Sequence, residues 1–170
     1  MEHSDFGSLA WPRERDACGV GFVADLHGRK THRTLERATE ALGNLSHRGA
    51  VSADGLTGDG AGVLTQVPHK LFARVLREHG VALERERDLG VGVFFVTNEG
   101  PADAMYDLID RVIDVSQLEL LLWRDVPTDS SSLGAQARSR LPILRQVLVK
   151  RPSGMADDVF ERTLYLTRKR

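Results

Sequence analysis

Three short apolar runs, Gly90-Val-Gly-Val-Phe-Phe-Val96, Leu118 to Trp123 and Ile143 to Val149, are the features that most limit the fold of this chain. Each is strand-like in length and in its aliphatic and aromatic content, the first is expected to be fully buried, and segments of helical period lie around them. Leu71, Phe72, Val75 and Leu76 mark one amphipathic helix, with Gly80 placed to end it. Pro101 suits the first turn of another, carried by Met105, Leu108, Ile109, Val112 and Ile113. The last segment, from Asp157, sets Val159, Phe160, Thr163 and Leu164 on one face. Nothing repeats internally, so the pattern predicts one domain of mixed α and β structure, in the α/β or α+β class.

The first third reads similarly. Gly19 to Leu26 and Gly62 to Val67 are β-leaning and are expected as two further strands, the first buried. Between them Thr31 is placed to cap a helix with Leu35, Ala38, Leu42 and Leu45 at helical spacing, ending near His47-Arg48-Gly49. A glycine-rich loop from Ala53 to Gly62 follows. The run Glu84-Arg-Glu-Arg-Asp88 reads as a solvated connector. The half-patterned final helix, with no capping glycine, predicts that the natural fold continues past Arg170.

Several functions are disfavoured by composition. Twenty-three basic and 24 acidic side chains give a net charge of −1, so no global field draws the chain to nucleic acid or an anionic membrane. No apolar run reaches the roughly 20 residues that span a bilayer, and a cytoplasmic location is expected. The six histidines show no paired helical spacing of the kind that binds zinc. One cysteine cannot form an internal disulfide, nor by itself hold an iron–sulfur cluster, which takes about four thiolates.

That cysteine, Cys18, stands before Gly19 and Gly21, where small residues allow close approach to the sulfur. Free cysteine is also among the most buried residue types, so packing and chemistry are both open from spacing alone. Arg48, at a helix end beside a glycine-rich loop, can clamp a carboxylate with two hydrogen bonds, or simply complement the helix dipole. Thr57-Gly-Asp-Gly-Ala-Gly62 is glycine-rich, but it has no P-loop lysine and opens no helix, which argues against a nucleotide site. Trp123-Arg-Asp-Val-Pro127 reads as a structural strand end more readily than as a site.

In order, Asp16-Ala-Cys-Gly-Val-Gly-Phe-Val-Ala-Asp25, Leu45-Ser-His-Arg-Gly-Ala50 and Thr57-Gly-Asp-Gly-Ala-Gly62 resemble the opening of the class II glutamine amidotransferase domain of glutamate synthases. Trp123 to Pro127, Leu144 to Val147, Arg151 to Met155 and Phe160 to Tyr165 continue the similarity. The resemblance implies an N-terminal-nucleophile hydrolase of the α+β class, an αββα sandwich of antiparallel sheets, incomplete at its carboxyl end. It implies a leader over 1–17, removed so that Cys18 becomes the amino terminus of an amidotransferase portion over 18–170. Cys18 is then the catalytic nucleophile that releases ammonia from glutamine through a thioester. Arg48, Asp59 and Gly60 match substrate-binding positions.

This stretch itself is expected to need no metal or cofactor. FMN and an iron–sulfur cluster are implied for the full-length parent, where ammonia meets 2-oxoglutarate. The implied partners are glutamine, the rest of the large subunit and a small subunit. Val51-Ser52 stand where many members carry Cys-Gly. The family's Asn-Gly oxyanion pair and glutamine-gripping arginine segment fall beyond residue 170, and losing one oxyanion donor costs about 10²–10³ in rate. Residues 1–170 alone are therefore expected to be weak catalysts. A module that keeps the fold without the chemistry is the alternative. A purine-pathway or sugar-amidating enzyme fits less well, given the long loop after Arg48 and the Trp123 segment.

Overall fold

A computed structural model of the chain describes residues 19–52, 54–58, 60–97 and 102–170. The backbone divides into two compact units, 1–64 and 65–170.

The first unit holds one regular helix, α1 (His32–Asn44), followed by a 3₁₀ turn over Ser46–Arg48. Thr31 occupies the N-cap position of α1, yet its hydroxyl makes no cap bond and instead lies 3.1 Å from the Thr34 hydroxyl. The expected strands at 19–26 and 62–67 do not form: both segments lie outside any ladder. Val20, Phe22, Leu26 and Leu64 are almost fully exposed, so the buried strand expected at 19–26 is corrected. A β-prone run becomes a strand only beside a hydrogen-bonding partner, and among the described residues these two have none.

The second unit contains α2 (His69–Glu78), β1 (Leu89–Val96), α3 (Ala102–Val115), β2 (Glu119–Asp125), α4 (Ala135–Ser139), β3 (Ile143–Lys150) and α5 (Asp157–Thr167). Gly80, at φ +74°, ends α2 as expected, with Val81 N–H donating back to the Leu76 carbonyl. Gln117 does the same for α3 at φ +58°, a left-handed position that no glycine signalled. The sheet order is β1-β3-β2, with β3 antiparallel to both neighbours. This supports the α+β class, with one antiparallel sheet among the described residues.

β3 explains where the core sits. Side chains alternate across a strand, and Val147, Leu148 and Val149 are all buried, so β3 is covered on both faces. Val147 and Val149 pack with Ile113, Leu118 and Phe160, which brings α3 and α5 to one face. Leu148 packs with Leu89, Phe72 and Leu76, which brings α2 to the other. A Cβ on Gly90 would lie 2.6 Å from Leu164 and 2.8 Å from Val149, so this glycine lets α5 lie close to the sheet. β1 is not buried throughout as its composition suggests: Val93 is half exposed and Phe95 is 70% exposed.

The charged run before β1 also departs from a merely solvated connector. Asp88 is buried, while Glu84 to Arg87 stay exposed. Its Oδ1 accepts from the Arg85 guanidinium at 2.9 Å and from Arg151 Nε at 2.9 Å. Asp157 at the start of α5 meets Arg85 at 2.7 Å and Arg151 at 3.3 Å, and the Arg151 N–H donates to the Asp88 carbonyl. These bonds tie the entrance of β1 to the exit of β3 and the start of α5. Arg85 first, then Arg151, holds the Asp88 carboxyl below its ordinary pKa.

A group whose pKa falls on folding stabilises the fold above its unfolded value, and that contribution disappears as pH drops through the folded one. Asp88→Asn is thus expected to cost about 3 kcal/mol at neutral pH, the low end for breaking a buried pair, since Asp157 still neutralises the arginines. The gap from wild type should narrow below about pH 4. Urea unfolding at several pH values checks this, and a gap unchanged down to pH 3 would refute it.

Candidate functional site

The described part of the candidate site lies in the first unit. Leu45 N–H closes α1 by donating to Leu42, and Arg48 N–H donates to Leu45 at 2.8 Å, so the chain tightens into the 3₁₀ turn that presents Arg48 at the surface. His47 Nδ1 lies 3.0 Å from the Asn44 carbonyl oxygen, a tie within the same turn. The segment 19–25 reaches α1 through a turn built on Asp25. Its Oδ1 accepts from the His27 and Arg29 N–H groups at 2.8 and 3.1 Å, and the Arg29 guanidinium approaches Oδ2 at 3.1 Å. Arg29 chiefly lowers the pKa of this half-buried carboxyl.

That turn folds the chain back so that Gly19 meets the end of α1. A Cβ on Gly19 would lie 3.2 Å from Leu45 Cδ2 and 3.4 Å from both Cβ and Cγ of Arg48. Any side chain at 19 would therefore press on the stem of Arg48. Gly19, the residue next to Cys18 in sequence, and Arg48, 29 positions after Gly19, are neighbours. Cys18 itself and Asp59 lie outside the described residues, and the structure places neither. Gly60 has φ +78°, a left-handed backbone that glycine adopts without strain, and it is exposed.

Asp54 was missed by sequence reasoning, and it organises the loop between Arg48 and Gly60. Val51 pairs with Gly58 in an isolated antiparallel bridge, and the Asp54 carboxylate closes the turn between them. The Asp54-Gly55 pair followed by Thr57 was the available signal, since Asp side chains bond backbone two or three residues ahead.

The model of the class-II glutamine amidotransferases matches residues 18–170. The chain belongs to this family. The amidotransferase chain is 42% identical over 156 residues to ferredoxin-dependent glutamate synthase 2 of Synechocystis sp., covering 91% of this chain and 10% of that protein. It is 40% identical over 161 residues to ferredoxin-dependent glutamate synthase of Pyropia yezoensis, covering 93% and 10%. With the glutamate synthase [NADPH] large chain of Bacillus subtilis it shares 37% over 158 residues, again 92% and 10%. The chain thus spans about a tenth of the length of these relatives.

Two other sequence features settle as structural in the amidotransferase chain. Trp123 Nε1 donates to Asp110 at 2.8 Å, and its ring packs against Phe94 and edge-on to Tyr106, so the Trp123 segment anchors α3 to the sheet. Arg151, within Arg151-Pro-Ser-Gly-Met155, serves the Asp88 cluster and also donates to the Met155 carbonyl. Among the described residues no three of His, Cys, Asp and Glu converge as a metal site, and no helix is long and apolar enough to cross a membrane.

Proposed function

We propose that residues 18–170 are the glutaminase part of a glutamate synthase, with Cys18 as nucleophile after removal of residues 1–17. The observation that carries this reading is the family match, which begins at Cys18 and runs to residue 170. The contact of Gly19 with the stem of Arg48 supports it, because it draws the start of the matched segment toward the expected substrate-binding arginine.

The chemistry follows from an amino-terminal cysteine. A freed α-amino group has a pKa of about 8 and can take the thiol proton while sulfur bonds to the side-chain amide carbon of glutamine. The tetrahedral oxyanion then collapses, the C–N bond breaks, and the amine returns its proton to the departing nitrogen, which leaves as ammonia. Water attacks the remaining thioester, yielding glutamate and restoring the thiol. Arg48 suits the substrate carboxylate because guanidinium and carboxylate pair through two parallel hydrogen bonds. Asp59 and Gly60 line the pocket.

The αββα sandwich belongs to the same proposal. Val20, Phe22 and Leu64, exposed in segments without a ladder, support a further apolar layer over this part of the chain.

In the whole protein, the released ammonia reaches a synthase domain with FMN and an iron–sulfur cluster and meets 2-oxoglutarate there to form glutamate. The chain's one cysteine supplies at most one thiolate, so such a cluster is held elsewhere. The Bacillus subtilis relative is named a large chain, which supports a small-subunit partner, and the compartment we assign is the cytoplasm.

Intact-mass analysis combined with a diazoketone analogue of glutamine tests the reading. The processed protein should begin at Cys18 and gain one label on that residue, with glutamine protecting. An active preparation that still begins at Met1 would overturn it.

A further inference from the structure

Of the described residues between 51 and 58, all but the half-buried Thr57 are exposed, and Val51 and Leu56 are 64% and 68% exposed. Apolar burial therefore contributes little to the order of this turn. Its bonds converge on Asp54 instead. Oδ1 accepts from the backbone N–H groups of Leu56 at 3.0 Å and Thr57 at 2.8 Å, while Oδ2 accepts from the Thr57 hydroxyl at 2.6 Å. Ser52 N–H donates to the Thr57 carbonyl at 2.7 Å, and Gly55 N–H to the Ser52 carbonyl at 3.0 Å with φ +67° at Gly55. These bonds return the chain so closely that a Cβ on Gly58 would lie 3.3 Å from the Ala50 carbonyl oxygen. The Thr57 hydroxyl foremost, then the two amides, lowers the pKa of Asp54, as expected for a carboxylate bonded in its charged form.

Gly58 is thereby held against Ala50, which follows Arg48 by two positions, although eight positions separate Gly58 from Ala50 in sequence. Asp59 and Gly60 follow directly. Closing such a loop costs conformational entropy, and the three bonds to one carboxylate offset it.

We propose that Asp54 is a positioning residue of the amidotransferase site: its carboxylate holds the turn between Val51 and Gly58 closed, so that Gly58, the residue leading into Asp59 and Gly60, stands against Ala50, two positions after Arg48. The inference rests on the reading above, in which Arg48, Asp59 and Gly60 bind glutamine, and it gives Asp54 no contact with the substrate.

Two measurements on the full chain after leader removal test it. In amide hydrogen exchange, Asp54→Ala should lose about tenfold or more of the protection at Leu56 and Thr57 while β3 amides are unchanged. Unchanged exchange in the turn overturns the inference. In labelling of Cys18 by the diazoketone analogue, Asp54→Ala should raise the half-saturating concentration about tenfold. Asp54→Asn, which keeps one acceptor oxygen, should recover part of the loss, and the rate with iodoacetamide should stay within about twofold because the thiol is untouched. Equal half-saturation in wild type and Asp54→Ala overturns the inference alone. No saturable, Cys18-dependent labelling in the wild type overturns the functional reading itself and removes the site that Asp54 would position.

Discussion

Cys18→Ala is expected to abolish glutamine-dependent ammonia release in any preparation where residues 18–170 act as an amidotransferase, a fall of about 10⁴–10⁶-fold. The size of the effect follows from the covalent route proposed for Cys18. Sulfur supplies the electron pair that forms the thioester, and a methyl group supplies none, so binding and any oxyanion contacts are left without a bond to make. Within residues 18–170 no second thiol can take over, because Cys18 is the one cysteine there. On the proposed reading, in which Arg48 pairs with the substrate carboxylate, Arg48→Ala should act chiefly on KM through the loss of that charge-assisted pair. Ammonia assayed against glutamine concentration separates the two. Substantial release from a protein with Cys18→Ala would place the nucleophile elsewhere.

Phe160→Ala should be the most damaging core substitution, costing about 4 kcal/mol. Phe160 is 1% exposed and packs with Ile113, Leu118, Val147 and Val149, so its ring joins α5 to α3 and the sheet in a single cluster. Removing it forfeits the transfer free energy of the ring and leaves a cavity that two helices and a strand cannot readily close. Val159, next to it on α5, is 47% exposed, and Val159→Ala should change stability by no more than about 0.5 kcal/mol. Trp123 packs against the same cluster, so its fluorescence during urea unfolding reports the loss once Trp11 is replaced by Phe. Similar unfolding free energies for the two alanine variants would show that this cluster does not hold the second unit together.

Much of the second unit was legible without coordinates. The helix at Leu71 to Leu76 with its terminating Gly80, the helix carrying Met105 to Ile113 and the three apolar runs all follow from patterns within a dozen residues. The candidate site was proposed on another ground. Cys18, Arg48, Asp59 and Gly60 stood out because short motifs came in a particular order, although Cys18 and Asp59 lie outside the described residues.

Tertiary structure decided the rest. Composition made Glu84 to Asp88 a connector, yet Asp88 is buried because Arg151, 63 positions later, reaches it. The runs at 19–26 and 62–67 resemble strands as much as β1 does, but β1 lies beside β3 and those two have no partner among the described residues. The Asp54-Gly55 pair signals a turn, but only the Val51 to Gly58 bridge shows what the bonds of Asp54 hold together. Helices satisfy their hydrogen bonds between residues a few positions apart, so sequence alone marks where most of them lie, although the Thr31 hydroxyl makes no cap bond and Gln117 ends α3 without a glycine. A ladder, a buried ion pair or the order β1-β3-β2 joins residues tens of positions apart, and only the packed chain selects those partners.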